Sequence, residues 1–109
     1  MPRDAGVPPG SLILLILRVL VRGPLHGYAI AQRIAELSHD ELRVEEGSLY
    51  PALQKALLKG WVKASPALSR TGRQVREYRL TALGQKQLGV ERAEYGRVSR
   101  AIAAILESA

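Results

Sequence analysis

Residues 46–63 read EGSLYPALQKALLKGWVK, a helix pattern that breaks at a glycine and turns into a strand pattern. Leu49, Leu53, Ala56 and Leu57 recur at i, i+4, i+7 and i+8, the spacing of one buried helix face. Ser48, Tyr50, Pro51, Gln54 and Lys55 then point outward. Glu45 and Glu46 suit the positive end of a helix that starts near residue 46, and Gly60 stops it near Lys59. Pro51 is expected near the helix start, because deep inside a helix it would cost about 3 kcal/mol. Beyond Gly60, residues 61–65 (WVKAS) read as a strand and residues 77–81 (EYRLT) as its antiparallel mate. Residues 66–75, with Thr71-Gly72 at their centre, form the hairpin tip.

Upstream, Pro8-Pro9-Gly10 breaks any earlier helix, and Ser11 offers an N-cap for an apolar helix running to about Arg22. Leu12, Ile13, Leu15, Ile16, Val19 and Leu20 place apolar residues on more than one of its faces, so something besides its own small domain must cover it. Gly23-Pro24 ends it. A second helix spans about residues 27–37, with Ile30, Ile34 and Leu37 spaced for one buried face and Gln32, Arg33 and Glu36 in water. A polar link, residues 38–41, leads to the third helix.

Downstream, Thr81 can cap a last helix running towards Leu106. Leu88, Glu91, Tyr95, Val98, Ile102 and Ile105 alternate at spacings of 3 and 4, a coiled-coil seam with one acid in it. Gly84, Gly89 and Gly96 each lower the helix's intrinsic stability by about 1 kcal/mol relative to alanine. Such a helix needs tertiary or intersubunit packing. The order of elements is that of a mainly α (α+β) winged helix-turn-helix, residues 1–81, followed by a C-terminal dimerisation helix, residues 82–109.

With 109 residues and no cysteine, the chain is one domain, or one domain plus a helix, without disulfides, thiol catalysis or cysteine-bound zinc. A cytoplasmic setting fits. The apolar run at residues 12–21 is interrupted by Arg18 and is half the length of a membrane span, and Met1-Pro2-Arg3-Asp4 does not read as a signal peptide. The formal charge is +6. Its distribution is informative: residues 47–80 hold Lys55, Lys59, Lys63, Arg70, Arg73, Arg76 and Arg79 against the single acid Glu77, while elsewhere basic and acidic residues cancel. Charge concentrated in one third of the chain is the electrostatic footprint of a nucleic-acid binder.

Four segments, LHGYAI (25–30), EGSLYPAL (46–53), KGWV (59–62) and YRLTALG (78–84), closely resemble the signature of the PadR family of transcriptional regulators. The resemblance covers about residues 12–106. It implies a dimeric DNA-binding repressor, often released from its operator by a small ligand or stress signal, and it is to the short members whose single C-terminal helix packs on the partner's N-terminal helix. The chain departs from the pattern at Glu45-Glu46, and at residues 65–68 (SPAL), which lack an aromatic often found at the start of the wing.

The candidate DNA-binding residues fall in three groups. On the third helix, Gln54 can pair with adenine and Lys55 with guanine or phosphate in the major groove, while Ser48 and Tyr50 mainly position the helix and Pro51 shares their outward face. Arg70, Thr71, Arg73 and Gln74 form a wing tip suited to phosphates or a narrow minor groove. Tyr28 can donate its hydroxyl to a phosphate or simply pack between helices, and Arg79 can meet DNA or pair with Glu77 or Glu46. Trp61 reads as packing at the wing base. The candidate dimer contacts are Leu12, Ile16, Leu88, Tyr95, Val98, Ile102 and Ile105. His26 and His39 lack acids at ligand spacing, so no metal, cofactor or catalytic site is expected. The expected partners are an inverted-repeat duplex, a second copy of the chain and a small-molecule effector. The competing readings are a winged helix that docks on an acidic protein, and a ligand sensor without direct DNA readout.

Overall fold

The computed structural model describes residues 7–8 and 10–109. The expectation for Met1-Pro2-Arg3-Asp4, and Pro9 in the helix-breaking tripeptide, lie outside the described residues. Four α-helices and a three-stranded antiparallel sheet follow one another along the chain: α1 (Leu12–Val19) with a 3-10 turn (Leu20–Arg22), β1 (Leu25–His26), α2 (Gly27–Leu37), α3 (Glu46–Leu58), β2 (Val62–Leu68), β3 (Gln74–Leu80) and α4 (Ala82–Leu106). This is the expected α+β winged helix.

The core gathers the apolar faces of every element. Ile16, Leu17 and Leu20 from the first helical segment meet Ile30 and Ile34 of α2, Leu49, Leu53 and Ala56 of α3, Val62 and Tyr78 of the sheet, and Leu88 of α4. The periodic residues of α2 and α3 are thus buried as their spacing requires, except that Leu57 is only half-buried and Leu37 is 65% exposed. It is the last residue of α2, beyond the reach of the core, and the chain turns away there through two left-handed residues, His39 and Asp40.

Four further expectations change. Ser11 makes no side-chain cap; α1 is instead entered through a turn in which Ser11 N–H donates to the Pro8 carbonyl at 3.0 Å. Pro51 stands in the second turn of α3, not its first. The carbonyl it deprives is that of Gly47, and because both residues are exposed water can serve it. The strands are longer than their alternation suggests, pairing from Val62↔Leu80 to Leu68↔Gln74. Pro66, opposite Arg76, falls inside β2, which is tolerated because β2 is an edge strand in the order β1-β3-β2. Finally, β1 adds a third strand through Leu25↔Tyr78 and His26↔Glu77; two residues are too few to show a period.

Thr81 ties α3, the sheet and α4 together. Its hydroxyl accepts from Gly84 N–H at 2.9 Å, capping α4 as expected, and donates to the Gly60 carbonyl at 2.6 Å. Gly60 ends α3 with φ +76°, a conformation open to glycine. From this anchor the first two turns of α4 bury Gly84 and Leu88, and the helix then runs out into solvent.

Candidate nucleic-acid interface

The exposed face of α3 is built as its sequence requires: with Leu49, Leu53 and Ala56 inward, Ser48, Tyr50, Pro51, Gln54 and Lys55 are all exposed. Together they form an exposed, mostly polar strip along a helix that a major groove is wide enough to admit.

The wing tip is a closed, self-bonded turn. Ser69 N–H donates to the Arg73 carbonyl at 2.8 Å, Gly72 N–H to the Ser69 carbonyl at 2.9 Å, and Arg73 N–H to Ser69 Oγ at 3.1 Å, while the Ser69 and Thr71 hydroxyls lie 3.1 Å apart. Gly72, at φ +82°, supplies the left-handed residue that a three-residue hairpin loop needs. The tip residues Arg70, Thr71 and Arg73 are exposed on this frame, and Gln74, expected with them, is the first residue of β3.

Alternation along β3 divides the remaining charges between the two faces of the ribbon. Gln74, Arg76 and Tyr78 share the face that Tyr78 buries in the core, so Arg76 and Gln74 continue that face outward beyond the core's edge. The Arg76 Cζ lies 5.9 Å from the centroid of the Tyr78 ring. Arg79 is on the opposite face, directly across from Lys63, and among the described residues it pairs with neither Glu77 nor Glu46.

A groove of about 310 Å³ connects the three elements, with Tyr28 and His26 from the start of α2, Tyr50 from α3, and Gln74 and Arg76 from the wing around it. Tyr28 is 66% exposed and Tyr50 44%. The Tyr50 ring crosses to α2, where its hydroxyl would lie 2.7 Å from a Cβ on Gly27, so a larger residue there would push the ring aside. His26 has a role that the sequence does not announce: its Nδ1 accepts from Ala29 N–H at 3.2 Å and caps α2, and its ring lies nearly parallel to that of Tyr28 with centroids 6.4 Å apart. Arg76 was legible only as one of several basic residues. Among the described residues no group of three or more His, Cys, Asp or Glu side chains is placed to hold a metal, and no helix is long and apolar enough to cross a membrane.

Away from this surface, α4 leaves Tyr95, Val98, Ile102 and Ile105 exposed. Two expected subunit contacts are corrected: Ile16 is completely buried and Leu88 nearly so in the chain's own core, because α4 folds back on α1 within one protomer. They leave little or no surface for a second copy, whereas Leu12 is half-buried. Further along α4, Glu94 accepts from Arg97 at 2.7 and 3.0 Å, which holds the carboxyl below its ordinary range and the guanidinium above its own.

Comparison with known proteins agrees with this geometry. The chain is 28% identical over 98 residues to an uncharacterized protein of Lysinibacillus sphaericus, covering 90% of both. It is 40% identical over 86 residues to an uncharacterized 37.1 kDa protein in transposon TN4556 of Streptomyces fradiae, matching 79% of this chain but spanning only 23% of that protein. Its fold is similar to that of a transcriptional regulator from Clostridium thermocellum, with a TM-score of 0.82 at 23% identity over 90% of this chain and 95% of the other. Residues 16–90 match the model of the transcriptional regulator PadR-like family, which takes in α2, α3, the whole sheet and the buried start of α4; the chain belongs to that family.

Proposed function

We propose that the protein is a sequence-specific regulator that binds duplex DNA as a homodimer and represses the genes it sits on, with α3 in the major groove and the wing along the backbone. The observation that carries this reading is the exposed surface formed by α3, the start of α2 and the wing: Gln54, Lys55, Tyr50, Arg70 and Arg73 face solvent within the segment that holds the chain's net charge, and Tyr28 is exposed beside them at the start of α2. Base-reading side chains sit on a rigid helix, and phosphate-binding side chains flank it.

Dimerisation is supported by the outer part of α4, whose four large apolar residues Tyr95, Val98, Ile102 and Ile105 follow one seam and stay exposed in the single chain. A second copy fits because a two-fold pair of these helices would bury identical seams against each other. Leu12 is half-buried, as are Ile13, Leu14 and Leu15 beside it, so this end of α1 keeps surface that a second copy could cover. Release by a small ligand is what the family resemblance implies.

Selection from random duplex DNA, followed by affinity measurement over a range of salt, tests the reading. An inverted-repeat site bound with a steep negative dependence of log affinity on log salt is the expected result. Binding that is weak, indifferent to sequence and nearly independent of salt would favour a protein-docking winged helix instead.

A further inference from the structure

We infer that the groove between α2, α3 and the wing is a seat for one backbone phosphate of the bound duplex, and that Arg76 is the residue that holds it. The inference rests on the DNA-binding reading and adds a contact that neither the helix face nor the wing tip provides.

Arg76 lies between the two surfaces. It shares a strand face with Tyr78, and because Tyr78 is at the end of the hydrophobic core, the guanidinium two residues further out overhangs the rim of that core. The Tyr78 ring beneath it, at 5.9 Å, steers the side chain by a cation–π contact while leaving its N–H groups free to donate. Its cross-strand neighbour Pro66 has no side-chain polar group to compete for it. Among the described residues no carboxylate pairs with it, and none borders the groove. A cation aimed into a groove without an acid is incomplete until an anion arrives.

The rest of the groove suits a phosphodiester more than a base. Two tyrosines, Tyr28 and Tyr50, line it from different helices, and phenolic hydroxyls can donate to anionic oxygens. The Tyr50 ring lies over Gly27 at the start of α2, and Tyr28 stands beside the His26 ring that caps the same helix. Guanidinium and hydroxyl donors arranged around an open groove match the planar charge-assisted bonding that phosphate oxygens accept. Such a contact would set the register of α3 on the duplex without carrying sequence information itself.

The test compares wild type with Arg76→Met and Arg76→Lys on the selected duplex and on a random duplex, each over a range of KCl, together with thermal unfolding. Arg76→Met should weaken binding about tenfold on both duplexes and flatten the slope of log affinity against log salt by roughly 1 per subunit. Arg76→Lys should keep the slope. As a check independent of any fold change in the variant, methylphosphonate is placed one position at a time along the duplex. One position per half-site should cost affinity for wild type and nothing further for Arg76→Met. Wild type binding with an unchanged slope in Arg76→Met, or no such methylphosphonate position, overturns the phosphate seat alone. A loss confined to the selected duplex would make Arg76 a base reader and also overturn it. Wild type that binds neither duplex in a salt-dependent way removes the DNA reading and this inference together.

Discussion

Gly84 lies against the carbonyl oxygen of Trp61 so closely that a Cβ at position 84 would overlap it. The contact brings the first turn of α4 onto the junction of α3 and β2, where Thr81 also bonds. Glycine is weak in a helix, but here no other residue fits. Gly84→Ala should therefore lower stability by about 1–3 kcal/mol, as overpacking does. Gly89, whose added Cβ would meet nothing within 4 Å, should gain about 1 kcal/mol when changed to alanine. Denaturant titration of the two variants checks the opposite signs; equal effects would mean that α4 can slide away from Trp61.

The His26 cap predicts a second pair. His26→Ala removes the acceptor for Ala29 N–H and should cost about 1 kcal/mol, while His26→Asn, which keeps a capping oxygen, should recover most of it. Thermal melts at one pH compare them directly. Equal melting temperatures for His26→Ala and wild type would show that the cap contributes nothing.

At the wing tip, Arg70 and Arg73 sit on a turn closed by Ser69 and Gly72. Replacing both arginines with alanine should weaken binding to every duplex and flatten the salt slope by roughly 1 per lost phosphate contact and subunit. An unchanged slope would place the tip away from the phosphates.

Gln54 is the side chain on the exposed face of α3 best able to bond two groups on the major-groove edge of one base. Gln54→Ala should cost about 1–3 kcal/mol at one base pair per half-site and leave the salt slope alone. Base-by-base affinity profiles read this out, and a uniform loss at all positions would assign Gln54 to the backbone.

Val98 and Ile102 occupy the middle of the exposed α4 seam. Val98→Asp with Ile102→Asp should leave a folded monomer, since burying two facing pairs of acids is costly. Sedimentation at micromolar concentration is the measurement. A dimer that survives both changes would move the interface elsewhere.

The local pattern of the chain was sufficient for the parts that depend on neighbours in sequence. The spacing of Leu49, Leu53 and Ala56 set which face of α3 is buried and so left Gln54 and Lys55 outward, and Thr81 marked the start of α4 because its cap reaches only three residues ahead. Gly72 at the centre of residues 66–75 marked the turn, since a left-handed residue is a local requirement. Other features depend on residues far apart. By spacing alone Leu88 and Ile16 suit a second subunit, but α4 packs against α1 and buries both, because burial is a property of the whole packing rather than of one helix's period. The pairing of β1 with β3 joins two residues to a strand some fifty positions away, too short a segment to have any periodicity. Arg76 was one basic residue among seven in its window until the strand register placed it on the Tyr78 face, over a groove whose tyrosines come from two different helices. Charge is legible in a sequence, but the direction in which a charge points is decided by register and packing.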